Sequence, residues 1–208
     1  TGTVDKSQPI NVLRLEGCTG EVIIKISNDF LIGRGYSAKP TIFLEEVREP
    51  ALKDSLSWQE VYRLGIIEND YRNRKVVELV AEKYGEGKGV LVIVNWTSHG
   101  ESLLEMLKQQ GIPCEFTHGG RSSEDRERIL QDLRYEKLKV LIATSILDEG
   151  VDVPGINVLV MAAGGKSFRQ TLQRIGRGLR KKKDGSGLEV YDFLDYHHRL
   201  LAKHTKER

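Results

Sequence analysis

Cysteine is scarce in this sequence. Cys18 and Cys114 are the two present in 208 residues, with no CxxC pair and no histidine beside either. That excludes a disulfide framework and argues against a zinc site, so no metal ligands are expected. Lone cysteines fit a reducing cytosol, which makes the expected location cytoplasmic. Aromatic residues make up only 7%. No apolar run approaches the roughly 20 residues of a spanning helix, and the mean hydropathy is −0.38, so no membrane partner is expected. Thr1 to Lys6 lacks the basic and apolar regions of a signal peptide and has no initiator methionine, and the sequence reads as a piece of a longer chain. Charge of one sign is also missing overall, with 32 Lys and Arg against 30 Asp and Glu.

What is present suits one domain, or one domain plus part of another. Hydrophobic residues make up 39% and charged residues 30%, and the apolar residues recur periodically, unlike those of a disordered chain. There is no internal repeat. The near-neutral balance hides a local run. Lys166, Arg169, Arg174, Arg177, Arg180, Lys181, Lys182 and Lys183 occur with no acid among them, interleaved with Gly176, Gly178, Gln170 and Gln173. A charge run is ordinarily a solvated face; this interleaving is not low complexity.

From Val90 onward strand and helix alternate. Val90–Val94 is a continuous β-branched run, as in a strand covered on both faces. Ser98–Gln110 carries Leu103, Leu104, Met106 and Leu107 at helical spacing, ended by Gly111. Cys114–Thr117, Val140–Thr144, Ile156–Met161 and Glu189–Phe193 read as further strands. Ser123 is expected to cap a helix holding Ile129, Leu130 and Leu133. Gln170–Leu179 and Tyr196–Lys206 read as helices. This order predicts an α/β fold with a mostly parallel sheet and right-handed crossovers. Earlier in the chain, Ile10–Leu15, Val22–Ile26 and Thr41–Leu44 read as strands, Trp58–Leu64 and Asp70–Tyr84 as helices, and Arg48–Ser57 as an irregular connection.

Two features imitate phosphate sites. Gly164-Gly165-Lys166-Ser167 follows a strand and precedes a helix, but a phosphate loop needs a glycine where Val160 stands. Asp148-Glu149 follows a strand like a magnesium-binding pair, with no phosphate loop to complete. A sharper signal is Gln173-Arg174-Ile175-Gly176-Arg177-Gly178-Leu179-Arg180. Arg174, Arg177 and Arg180 lie on one side of a helix and repel one another unless an anion lies opposite. Phosphate suits them, because the guanidinium fork binds its oxygens in pairs. Glycines cost about 1 kcal/mol each in a helix, so Gly176 and Gly178 make better sense where something approaches closely.

Gln173–Arg180 resembles motif VI of superfamily 2 helicases. Val140–Pro154, with Asp148-Glu149-Gly150-Val151-Asp152, resembles motif V. Val90–Thr97, ending Asn95-Trp96-Thr97, resembles motif IV, and His118-Gly119-Gly120 with Arg126 matches the segment between. The order and spacing are the family's, over roughly Thr41 to the end of the chain. Gly35–Pro40, Gly65–Asp70 and Ala163–Ser167 are most similar to the repair-helicase branch that includes UvsW-type and XPB-type proteins and the translocating subunits of restriction enzymes.

The resemblance implies a P-loop NTPase fold and a RecA-like helicase C-terminal domain over residues 35–208. Residues 1–34 would then be the tail of a first RecA-like domain and a linker, with Thr1 ending its Ser-Ala-Thr motif. The implied activity is ATP-dependent helicase or translocase action on nucleic acid, DNA by this branch. ATP and Mg²⁺ would be held mainly by the first domain, so this chain alone would bind no cofactor and hydrolyse no ATP. Arg177 and Arg180 would be arginine fingers. Gln173 would sense the γ-phosphate or tie the motif to the acidic motif of the first domain, and Gly150 and Asp152 would line the nucleotide side, Asp152 accepting from a ribose hydroxyl or holding an arginine finger. Asn95, Trp96, Thr97, Gly119, Gly120, Thr144, Ser145, Gly165, Lys166 and Arg174 would contact nucleic acid, most of them at the carboxyl ends of strands. Trp96 can equally be read as a core aromatic. His197, His198 and His204 are expected on the surface of the last helix. Two rival functions remain open: a stand-alone regulatory module that binds nucleic acid without ATPase activity, and a small nucleotide-binding enzyme using Gly164–Ser167.

Overall fold

The computed structural model describes residues 9–20, 23–24, 30, 33–34, 40–144, 155–165 and 187–207. The described elements in chain order are α1 (Pro9–Thr19), β1 (Pro40–Val47), α2 (Trp58–Tyr62) running into a π turn (Arg63–Ile67), α3 (Asp70–Gly85), β2 (Gly89–Val94), α4 (Thr97–Gln109), β3 (Cys114–Thr117), α5 (Ser123–Arg134), β4 (Val140–Thr144), β5 (Ile156–Met161), β6 (Leu188–Asp195) and α6 (Arg199–Glu207). The six strands form one sheet in the order β1-β6-β5-β2-β4-β3. Every pairing is parallel, as the alternation of strand and helix predicts.

The side-chain period of two sorts the central strands onto two buried faces. Val90, Val92 and Val94 pack with Val76, Val77 and Val80 of α3 and Leu103 and Leu107 of α4. Leu91 and Ile93 face the other way, onto Ile129 and Leu133 of α5. A smaller cluster of Val61, Tyr62, Ile66 and Leu201 joins α2, the π turn and α6. All six residues of β2 are buried. Burying an aliphatic side chain of this size contributes about 1.5–3 kcal/mol, so these two layers dominate the stability.

Four sequence expectations change. Ile10–Leu15 is not a strand but part of helix α1. Proline suits a first helical position, and Leu13, Arg14, Leu15 and Glu16 are good helix formers. Without a pairing partner, β-branched Ile10 and Val12 do not decide the state. Of Val22–Ile26, only Ile23 and Ile24 are described, and neither lies in a strand. The cap of α5 is Ser122 rather than Ser123, its side chain accepting from the Asp125 amide. The last helix starts at Arg199, and His197 and His198 before it are buried at 5% and 4% exposure. His197 Nε2 lies 3.0 Å from the Gly65 carbonyl, so the π turn covers His197. His204 is only partly exposed. The helix expected over Gln170–Leu179 lies outside the described residues.

Candidate nucleic-acid interface

Strands β4 and β3 lie to one side of β2, and β5, β6 and β1 to the other. The connections therefore leave β2 and β5 in opposite directions, the switch point at whose carboxyl ends an open α/β sheet forms its ligand-binding crevice. Tyr62 spans this crevice. Its hydroxyl donates to the Ala163 carbonyl just past β5 and accepts from Asn95 Nδ2 just past β2, at 3.2 Å. Trp58 stacks on the Tyr62 ring, with centroids 5.4 Å apart and planes 23° apart. Trp96 meets the same ring at 6.3 Å with planes at 51°. Trp96 is 50% exposed, which decides against the core reading.

Local chemistry places these rings. A capping box sets the start of α2: Ser57 Oγ accepts from the Glu60 amide at 3.3 Å and Glu60 Oε2 accepts from the Ser57 amide at 2.9 Å. The wider π turn then brings Gly65 against α6. A Cβ there would lie 2.7 Å from Leu201 Cδ1 and 2.8 Å from His197 Nε2, so a side chain would push the two elements apart. π turns are common at functional sites.

A buried polar network supports the crevice from below. Arg72, fully buried, donates from Nε to Asp195 Oδ1 at 2.9 Å and from Nη1 to the Ala162 carbonyl at 2.7 Å. Its guanidinium lies 5.0 Å from the Phe193 ring centre. Asn69 caps α3 by accepting from the Arg72 amide, and donates to the Glu49 and Gly65 carbonyls. Asn73 Nδ2 donates to the Ile67 carbonyl. Its Oδ1 is therefore the acceptor for His99 Nε2 at 2.9 Å, which fixes the proton on that nitrogen. Burial, with the Arg72 charge nearby, pushes the His99 pKa down to about 3, so His99 is a neutral donor in the first turn of α4.

That first turn faces the crevice. Helices α2, α3 and α5 have side-chain caps, but Trp96 at the start of α4 provides none. An indole cannot accept a hydrogen bond, so the α4 amides at Thr97 and beyond are left to water or an anion. Gly100 lets the helix press onto β3, since a Cβ would come within 2.4 Å of the Phe116 ring. Thr144 pairs with Val94 at the ends of β4 and β2. The hydroxyls of Thr144 and of Thr117, at the end of β3, are buried without a hydrogen-bond partner. Beyond Thr117, the Gly120 amide donates to His118 Nδ1 at 3.1 Å.

Asn95, Trp96, Thr97, Thr144 and Gly165 thus gather around the crevice, with Gly119 and Gly120 leaving the adjoining edge strand. Gly164 and Gly165 both have positive φ, 64° and 81°. Gly164 has Ile66 packed close above it, where a Cβ would lie 3.0 Å from Ile66 Cδ1. Val160, where a phosphate loop needs glycine, is a fully buried strand residue. The described part of Gly164–Ser167 is therefore a packed turn rather than a phosphate cradle. Ser145, Gly150, Asp152, Lys166, Gln173, Arg174, Arg177 and Arg180 lie outside the described residues, as does Asp148-Glu149. Among the described residues, no three His, Cys, Asp or Glu side chains cluster to hold a metal, and no helix is long and apolar enough to cross a membrane. Tyr62, Arg72 and His99 carry no motif and were not expected at the site. Gly65, just past the helix expected over Trp58–Leu64, was the one local signal of close packing there.

The family described as the helicase conserved C-terminal domain matches residues 71–182. A protein of Sulfolobus islandicus filamentous virus (isolate Iceland/Hveragerdi) named as a helicase is 33% identical over 118 residues, 57% of this chain and 21% of that one. The pre-mRNA-splicing ATP-dependent RNA helicase prp28 of Schizosaccharomyces pombe is 29% identical over 126 residues, 61% of this chain and 19% of that one. Among solved structures, T4 UvsW superposes with a TM-score of 0.66 and 25% identity, covering 81% of this chain and 37% of that one. The chain spans about a fifth of the length of the curated relatives it matches.

Proposed function

The chain belongs to the helicase conserved C-terminal domain family of superfamily 2, and from that premise we propose that it serves as the C-terminal RecA-like half of an ATP-dependent helicase or translocase. The observation that carries the reading is the crevice itself. Asn95, Trp96 and the uncapped α4 start follow β2, and the unpartnered Thr144 and Thr117 hydroxyls end β4 and β3, the next two strands across the sheet. Amides, hydroxyls and glycines of this kind bind a phosphate backbone without reading bases. In this reading residues 35–208 form the domain and residues 1–34 lead into it from a first RecA-like domain.

ATP and Mg²⁺ belong to a cleft between the two domains. The first domain supplies the phosphate loop and the acidic motif, in keeping with the buried Val160 and the packed turn at Gly164–Gly165. This chain contributes Gln173, Gly150 and Asp152 beside the nucleotide and Arg177 and Arg180 as fingers. Phosphoryl transfer spreads charge over equatorial oxygens, and a finger contributes roughly 10³–10⁵ in rate. Lys166, Arg174 and Ser145 extend the phosphate contacts. The strand is DNA by the likeness of Gly35–Pro40, Gly65–Asp70 and Ala163–Ser167 to the repair branch. RNA is the second reading, favoured by the RNA helicases among the relatives.

The test is steady-state ATPase of the full-length protein at saturating ATP and nucleic acid. Arg177→Ala and Arg180→Ala should each lower kcat far more than they raise KM, because the charge they meet develops only in the transition state. Lys182→Ala, past the glycine-spaced triad, should do much less. Unchanged kcat in Arg177→Ala would remove the finger assignment. Stimulation by RNA and not DNA would decide for the second reading.

A further inference from the structure

Both tryptophans of the chain converge on one ring. Trp58 and Trp96 are 47% and 50% exposed, yet both contact Tyr62, which is 4% exposed. A single exposed aromatic needs no explanation; two indoles held around one tethered tyrosine at a strand-end crevice do. The Tyr62 hydroxyl is held from both banks of the crevice, by Ala163 and Asn95. The capping box fixes the α2 turn carrying Trp58. Ring faces ordered in advance lose little freedom when a flat ligand stacks on them. The uncapped α4 amides begin one residue beyond Trp96. Anion-binding donors beside an exposed π face match the two parts of a nucleotide, its phosphate and its base.

We propose that Trp58 and Trp96, braced by Tyr62, form a stacking platform for an unpaired base of single-stranded nucleic acid. The inference rests on the nucleic-acid reading above and adds to it residues that the motifs do not contain. Trp58 and Tyr62 both lie before the matched residues 71–182. Stacking tolerates any base, since every base has a π face. The platform therefore holds the strand without reading its sequence. An exposed ring pair of this kind could instead be a contact for another protein, and the experiment separates the two.

The 208-residue chain suits the test because its two tryptophans report only on this site. It is titrated at low salt with oligothymidylate, oligouridylate and an abasic strand of the same phosphate count. Tryptophan fluorescence reads stacking, and anisotropy of a labelled strand reads binding. A base-bearing strand should quench the fluorescence and bind about tenfold tighter than the abasic strand, the scale of one stacked base. Trp58→Ala should lose about that factor for base-bearing strands and leave abasic binding and the salt slope unchanged. Trp58→Phe should keep most of the affinity. Equal affinity for base-bearing and abasic strands without quenching would overturn the platform, leave the phosphate contacts standing and assign the rings to a protein contact. No binding of any strand would overturn both the platform and the nucleic-acid reading beneath it.

Discussion

Replacing Arg72 by leucine should be among the most damaging single substitutions in the described part of the molecule. Arg72 has no exposed side-chain surface and Asp195 has 2%. Removing the guanidinium leaves a buried carboxylate without its 2.9 Å ion-pair partner. It also leaves the Ala162 carbonyl without its 2.7 Å donor and removes the cation over Phe193. Breaking a buried pair from one side costs about 3–5 kcal/mol, against a total of about 5–15 kcal/mol for a domain. Arg72→Lys should recover only part of this, because a single ammonium group cannot reproduce the fork that reaches Asp195 and Ala162 together. Asp195→Leu made alongside Arg72→Leu should be less harmful than the sum of the two, since the double substitution removes both members of one buried pair. Urea denaturation followed by circular dichroism measures wild type and the four variants. The Ala162 carbonyl begins the turn toward Lys166, so nucleic-acid affinity should fall with Arg72→Leu even where the protein is still folded. A stability loss below about 1 kcal/mol in Arg72→Leu would refute the reasoning, since one lost neutral hydrogen bond already accounts for that much.

Gly89→Ala should destabilise by at least about 3 kcal/mol, at or above the upper end of ordinary overpacking. Its Cβ would sit 2.0 Å from the Gly155 carbonyl oxygen, and backbone cannot rotate away; a near-normal urea midpoint would contradict this. His99 sets a pH dependence. Its folded pKa is about 3, below the ordinary 6.5, so the unfolded chain takes up the proton first. Stability is full above about pH 6.5 and falls with acidification at about 1.4 kcal/mol per unit, or about 2 kcal/mol by pH 5. The buried His197, its pKa also lowered by desolvation, acts in the same direction. Urea melts of wild type and His99→Gln at pH 7 and pH 5 check this, with the variant losing less on acidification; equal slopes would remove His99 as the source. Nucleic-acid binding by the chain should be independent of sequence and should weaken steeply with salt, because the basic run at Lys166–Lys183 displaces counterions from phosphate. A titration at two salt concentrations reads the slope, and tight binding indifferent to salt would argue against backbone recognition.

The local pattern of the sequence was enough to determine the parallel α/β class. Runs such as Val90–Val94 and Val140–Thr144 are apolar throughout because strands covered on both faces must be, and the helices between them show their periodicity without reference to anything distant. Motif order likewise pointed to the strand ends that carry Asn95, Trp96 and Thr144. Where local pattern and pairing compete, as at Ile10–Leu15, sequence alone chose wrongly, because β propensity without a partner strand has nothing to pack against. Only the tertiary structure decided what surrounds the strand ends. Tyr62, Gly65 and Arg72 precede β2, yet they meet Asn95, Ala162, Ala163, Asp195 and His197, between 33 and 132 positions away in sequence. No periodicity encodes such contacts. They exist because β6 pairs beside β5 and brings its end, and α6 after it, against the π turn, so that a buried charge, neutral histidines and two exposed indoles come to lie at one crevice.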